Sequence, residues 1–276
     1  MKLSAWVSIS DLLPEKKAGF DRFIFERFIK QTIFNKRNPQ DILLTLKKSG
    51  VEGIELLVCP NIEDKDIVKI QKNLKELDMG IFSLHQSIST LFNIGLLEIT
   101  NLFKIANKLS AKVVVLHLTV IGDQIFDQKY VNSLKLLEKQ YKIKIAIENM
   151  PISPLSIFKT YTWKGDAFSS VVEKSGFSIT LDTTHIGQTG GDIVEFYKKN
   201  KNRIVNIQLS DYKKNLLNTY LMLTSLTHLP LGKGQLPIKN FLQALKEENY
   251  DGLITMEING NLDDLCQSAR FIKSVL

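Results

Sequence analysis

Short runs of β-branched and aliphatic residues alternate along this chain with longer stretches whose apolar positions recur every three or four residues. Runs of the first kind read as strands buried on both faces, and those of the second as amphipathic helices packed against them. The pattern predicts eight strands, at 3–9, 53–58, 80–85, 112–118, 142–148, 177–182, 204–209 and 252–258. Helices are expected between them at 39–49, 63–78, 91–110, 126–141, 166–174, 192–200 and 237–248, and a last one at 262–275. Local cues agree with these bounds. Asn38-Pro39 reads as an N-cap with Pro at the first helical position, and Lys48-Ser49-Gly50 puts a basic residue and then Gly at the other end. Eight near-continuously apolar strands separated by helices predict an α/β fold, the (β/α)8 barrel. A doubly wound sheet is the competitor, but no GxGxxG follows the first strand.

Composition narrows the class. No Ser/Gly-rich, Pro-rich or like-charge segment interrupts the 276 residues, so one domain over 1–276 is expected despite the length. An apolar share of 44% with 24% charged residues suits a soluble protein with a sizeable core and argues against disorder. Cys59 and Cys266 lie far apart with no CxxC spacing, which argues against a disulfide framework or a thiolate zinc site and suits a reducing cytoplasm. No export signal and no bilayer-length apolar run is found, so no membrane partner is expected. The net charge of +7 comes mainly from scattered lysines, a solvated surface that welcomes anionic substrates and lacks the clustering of a nucleic-acid footprint. Two connections exceed what a barrel needs. The first, 11–38, carries Phe20, Phe23, Phe25 and Phe28, read as a helix packing on the barrel or on a partner subunit; the second, 211–236, carries Tyr212, Tyr220 and His228. Both follow strands, which assigns them to the catalytic face.

Candidate chemistry collects at the strand ends. Glu148, Asp182 and Glu257 each stand where an apolar run stops, and His185 follows Asp182 by three residues. An ionised carboxylate at the tip of a buried strand is costly unless it is paired or bound to a metal, so three of them suggest one shared metal site. The other strand ends contribute Glu55 and Cys59, His85, His117, and Gln208 with Asp211. Apolar side chains would close a barrel mouth at lower cost, so packing alone does not account for this enrichment. Individually, His117 also fits a satisfied strand histidine, His228 a loop anchor, Asp211 a turn residue with an outer hydrogen bond, and Cys59 simple packing.

Ser83-Leu84-His85, Val115-Leu116-His117, Ile147-Glu148-Asn149, Leu181-Asp182-Thr183-Thr184-His185, Gln208-Leu209-Ser210-Asp211, Leu231-Gly232-Lys233-Gly234 and Met256-Glu257 occur in the order seen in the xylose-isomerase-like superfamily. The chain resembles that superfamily over nearly its whole length. Its members are single (β/α)8 TIM barrels and include sugar isomerases and epimerases as well as endonuclease IV type enzymes of AP endonuclease family 2. In the single-metal epimerases a Glu, an Asp, a His and a Glu from the fifth to eighth strands bind one divalent ion. The resemblance assigns those places to Glu148, Asp182, Gln208 and Glu257, with Gln208 standing where the family has His. An amide oxygen favours harder ions, so Mn²⁺ or Mg²⁺ is the expected cofactor, with Zn²⁺ as the alternative.

The activity this implies is isomerisation or epimerisation of a sugar or sugar phosphate through an enediolate. Glu148 and Glu257 would alternate as base and acid, Asp182 would be a ligand only, and Glu55, His85, His117, His185 and His228 would contact the substrate. A homodimer paired through exposed helices is the expected assembly. Two other readings stay open. An endonuclease IV-like phosphodiesterase would use His85, His117, Glu148, Asp182, His185, His228 and Glu257 for three zinc ions, although Gln208 and Leu226 stand where that family has ligands. A non-catalytic metabolite-binding barrel with a degenerate metal site is the third.

Overall fold

In the computed structural model, residues 1–13, 38–58, 62–86, 95–117, 125, 127–150, 166–214 and 227–276 are described. Cys59, the Phe20, Phe23, Phe25 and Phe28 stripe, Tyr220 and Leu226 lie outside them. Eight strands close into a barrel in sequence order: β1 (Lys2–Ser8), β2 (Gly53–Leu57), β3 (Gly80–His85), β4 (Val113–His117), β5 (Lys144–Glu148), β6 (Ser178–Asp182), β7 (Ile204–Leu209) and β8 (Leu253–Met256). Every neighbouring pair is parallel, including β8 against β1. Ten helices are described around it: α1 (Ile9–Leu12), α2 (Pro39–Lys48), α3 (Asp64–Lys75), α4 (Leu96–Lys108), α5 (Gln128–Tyr141), α6 (Asp166–Ser175), α7 (Thr183–Gln188), α8 (Ile193–Asn200), α9 (Ile238–Glu247) and α10 (Leu262–Val275). Among the described residues, no helix is long and apolar enough to cross a membrane.

The expected (β/α)8 barrel is thus the observed one, with differences at the edges that have local causes. Ser8 ends β1 because its side chain caps α1 while Asp11 bonds back to the Ser8 amide. Lys142 adopts a left-handed φ of 56° as the C-cap of α5, so β5 starts two residues later than the apolar pattern predicts. The short helices α1 and α7 were not expected. In α7 the run Thr183-Thr184-His185-Ile186 is wholly buried, and such a run carries no amphipathic period to read.

Two faces of the strands differ more than a near-continuous apolar run suggests. One alternate set, including Ala5, Val7, Ile54, Leu56, Leu84, Val114, Leu116, Ile145, Ile147, Ile179, Leu181, Ile207, Leu209, Ile254 and Met256, belongs to the core shared with the helices. The other set is largely polar: Ser4, Glu55, Ser83, Thr180, Asn206, Gln208 and Thr255 are all fully buried. Side chains two apart share a face, so the second set lines the barrel axis. Burial there requires partners, and a hydrogen-bonded chain supplies them for all of these side chains except Thr180 Oγ1 and Gln208 Oε1. Ser4 Oγ is 2.8 Å from Thr255 Oγ1, which donates to Asn206 Oδ1 at 3.0 Å. The Asn206 amide in turn donates to Glu55 at 2.8 Å.

Beyond β7 the chain is held by one buried carboxylate. Asp211 Oδ1 accepts from the amides of Tyr212 (2.8 Å) and Leu236 (3.0 Å), and Oδ2 from those of Gly232 (3.0 Å) and Gly234 (2.9 Å). A side chain at position 234 would collide with this carboxylate, which is the reason for glycine there. The Asp211 backbone also exchanges both hydrogen bonds with Leu229, the residue after His228. Asp211 is therefore the turn residue its sequence context suggests, and it organises the Leu231-Gly232-Lys233-Gly234 turn. Asp211→Asn confronts two of the four amides with a donor, and is expected to cost about 3 kcal/mol, the loss of charge-assisted bonds at a buried site. Equilibrium urea denaturation measures it; a change within about 0.5 kcal/mol, the range of an inert surface substitution, would refute the clamp.

Candidate metal centre at the carboxyl rim

Because all eight strands run the same way, their carboxyl ends share one rim, and Glu148, Asp182, Gln208 and Glu257 occupy the ends of four successive strands. Asp182 lies in register with Gln208, and Gln208 with Thr255, two residues before Glu257. Glu148 is the centre of a histidine cluster. Its Oε2 is 3.1 Å from both His85 Nε2 and His117 Nε2, and its Oε1 is 3.0 Å from His185 Nδ1. The rings of His85 and His117 meet edge to face at 4.9 Å.

A second group adjoins the first. Asp182 Oδ2 is 3.3 Å from His228 Nε2 and 3.6 Å from His185 Nδ1. His228 Nε2 also lies 4.0 Å from Glu257 Oε1. Among the described residues, three triads present ligand atoms within 4.8 Å of one another: His85, His117 and Glu148; Asp182, His185 and His228; Glu55, His85 and Glu257. Every candidate site residue is thus brought to one end of the barrel. Glu55, expected to touch substrate, is fully buried with both oxygens engaged by Ser83, Asn206 and Gln208.

Backbone and side-chain partners orient these groups. The His85 Nδ1 atom is 2.8 Å from the Gln86 carbonyl, which makes Nδ1 a donor and turns Nε2 toward Glu148 and the site. His185 Nδ1 is 2.9 Å from the Asn149 carbonyl, and His228 Nδ1 is 2.9 Å from Thr227 Oγ1. Asn149 clasps the backbone of Asp182, donating to its carbonyl at 3.0 Å and accepting from its amide at 2.8 Å. Gln86 Oε1 accepts from the His117 amide at 3.3 Å. The supporting roles of Gln86, Asn149 and Thr227 escape sequence reasoning. Their only signal is adjacency to His85, Glu148 and His228.

The electrostatics are mutually dependent. Burial pushes the Glu148 carboxyl up, but His117, His185 and His85 outweigh it and hold the group well below the ordinary carboxylate range. Burial likewise lowers His85 and His185, and the facing carboxylates reverse this, raising His85 to about 10 through Glu148 and His185 to about 9 through Asp182 and Glu148. His117 stays below its usual value, because burial outweighs its Glu148 contact. Burial of its carboxyl pushes Glu257 well above the usual range, and the charges of Asp182 and Glu148 add to the shift. The rim thus sets its two glutamates apart, one shifted down and the other up.

A divalent ion fits this donor set. Gln208 Oε1 and Glu257 Oε2 are buried acceptors with no hydrogen-bond partner, and His117 Nδ1 is likewise unpartnered. Such atoms are costly unless something satisfies them. Carboxylate and amide oxygens suit Mn²⁺ or Mg²⁺, and the histidines suit Zn²⁺.

Comparison with known proteins bears on the fold that carries these residues. The family model described as xylose isomerase-like TIM barrel matches residues 43–275. An uncharacterized protein of Methanocaldococcus jannaschii, MJ1311, is 28% identical over 187 residues, covering 62% of this chain and 58% of that one, less than two thirds of its length. Among solved structures, a D-tagatose 3-epimerase-like protein superposes with a TM-score of 0.68 at 19% identity, over 100% of this chain and 97% of that one. An AP endonuclease, family 2, from Brucella melitensis superposes with a TM-score of 0.66 at 11% identity, over 99% and 98%. Both structural likenesses are likenesses of fold. With most of its length matched by the family model and its eight parallel strands closed in order, the chain belongs to the xylose isomerase-like TIM barrel family.

Proposed function

We propose that this protein is a divalent-metal-dependent isomerase or epimerase acting on a polyhydroxylated small molecule, a sugar or sugar phosphate. The observation that carries the reading is the convergence of Glu148, Asp182, Gln208 and Glu257 on one rim, with the two glutamates shifted in opposite directions, Glu148 down and Glu257 up. Moving a proton at carbon next to a carbonyl needs a base on one side and an acid on the other, and divergent carboxyl environments mark such a pair. Glu148, Asp182, Gln208 and Glu257 would hold the ion. When bound, it supplies Lewis-acid polarisation of neighbouring substrate oxygens. Asp182 would serve only as a ligand, and His117, His185 and His228 would orient substrate hydroxyls. Structural neighbours with sugar-epimerase names support this class. Buried, unbridged Cys266 accords with a reducing cytoplasm.

One observation favours a second reading. Both oxygens of Glu148 face histidines, so two ions would find holders here, one in His85, His117 and Glu148 and one in Asp182, His185 and His228. Paired ions clamp phosphoryl groups, which is the chemistry of a phosphoester hydrolase. Metal analysis of the purified protein separates the two: one Mn²⁺ or Mg²⁺ per chain supports the isomerase, and two or three zinc ions the hydrolase.

Two further outcomes are expected. In D₂O with Mn²⁺, the protein exchanges hydrogen for deuterium beside the carbonyl of a ketose or its phosphate, followed by NMR, and Glu257→Gln slows this by about 10²- to 10⁴-fold. Absence of exchange across a ketose and ketose-phosphate panel counts against isomerisation. Metal binding should also be linked to protons. At pH 7.5 His85 and His185 hold protons that a nearby cation displaces, since the facing carboxylates raise them to about 10 and about 9. Raising the pH from about 6.5 to about 9 therefore strengthens binding and acidification weakens it. Calorimetric titration in two buffers of different ionisation enthalpy counts the released protons; pH-independent binding with none released would separate these groups from the ion.

A further inference from the structure

Gln208 is where this chain departs from the histidine its family resemblance calls for, and its surroundings explain how an amide can stand there. A side-chain amide has two faces of opposite chemistry, and nothing in the residue itself selects which one meets a ligand. Here the selection is made from behind. Gln208 Nε2 donates to Glu55 Oε1 at 2.8 Å, while Gln208 Oε1 is buried with no partner. With the nitrogen held against Glu55 Oε1, the amide oxygen is left for the site. Glu55 is itself immobilised, because its other oxygen takes Ser83 Oγ at 2.6 Å and Asn206 Nδ2 at 2.8 Å. The Asn206 amide cannot rotate either, since its own oxygen accepts from Thr255 Oγ1 at 3.0 Å. The sequence of donors and acceptors running from β8 through β7 to β2 therefore has one polarity from end to end.

We propose that Glu55 is a positioning residue that fixes the amide of Gln208 with its oxygen presented as a metal ligand, so that the chain binds a hard divalent ion where an imidazole is absent. The inference rests on the metal reading above and adds to it the element that makes Gln208 a competent donor. Outer-shell acceptors do the same for metal-binding histidines by fixing their tautomer; here a carboxylate fixes the orientation of an amide. An unpositioned amide would present its NH₂ group to a cation in part of the population, and that group repels it.

Glu55→Gln tests this with almost no change of shape. The new amide keeps an oxygen for Ser83 and Asn206 and places NH₂ against Gln208, which must then turn its own oxygen inward and its NH₂ toward the site. Every hydrogen bond in the chain is retained, so thermal stability holds, but the ligand atom is reversed. Calorimetric titration of the chelator-treated protein with Mn²⁺ should give a Kd weaker by about 10- to 100-fold for E55Q, the usual effect of losing an outer-shell partner. The double variant E55Q/Q208E restores the match, since the carboxylate introduced at 208 accepts from the amide introduced at 55 and offers an oxygen to the ion; its Kd should return to the parent value or below. Parent-like affinity in E55Q, or a double variant as weak as E55Q, overturns the proposal while leaving the metal reading intact. A parent protein that binds no Mn²⁺ overturns both.

Discussion

Every second side chain of a barrel strand points at an axis that water does not reach, and whatever stands there must find its partners within the ring. In this protein that constraint shapes everything above it. Ser4, Thr255, Asn206, Glu55, Ser83 and Gln208 satisfy one another across β1, β8, β7, β2 and β3, so the polar interior is a connected column with each donor assigned to an acceptor. An apolar interior would pack as well, but it would give the rim nothing to stand on. The column ends at Glu55, within ligand distance of His85 and Glu257, which makes the interior a foundation of the site.

The rim follows the opposite logic. Its groups are oversupplied with charge: Glu148, Asp182 and Glu257 crowd together with four largely buried histidines. Carboxylates so placed cannot all stay ionised, and the histidines cannot all stay neutral. The cluster resolves this by holding protons on His85 and His185 and raising the proton affinity of Glu257, while Glu148 is shifted down. Protons here occupy places that a cation could take, and the unpartnered Gln208 and Glu257 oxygens mark where protons alone leave the account unbalanced. Described segments beside the rim are tied to the same frame. Asn149 locks Asp182, and Asp211, by pairing with Leu229 and gathering four turn amides, delivers His228 to the second group.

Gln208 shows how a family framework tolerates a changed ligand. Replacing imidazole by an amide alters both the donor atom and the need for orientation, because an amide carries a repulsive face that a correctly tautomeric imidazole lacks. A carboxylate already buried beneath the position meets that need, and its own three hydrogen bonds keep it from turning. The departure and its support lie 153 residues apart in sequence, on strands that are not neighbours in the barrel.

Hydrophobic period determined the eight strands and their order, since alternating short apolar runs and amphipathic stretches leave few other ways to bury the apolar faces. Strand-end position was also legible: Glu148, Asp182, Gln208 and Glu257 stand where apolar runs end, and parallel strands bring such ends to one rim. What the sequence could not convey was pairing across the barrel. The inward set of each strand looks like scattered polar residues within apolar runs, and nothing local says that Glu55 meets Gln208, or that both oxygens of Glu148 meet histidines from β3, β4 and α7. The buried α7 was hidden for a related reason, having no solvent face and so no period. Local pattern records which side of an element is buried, whereas hydrogen-bond partners and shifted protonation are set by distances across the ring, and those exist only once the barrel has closed.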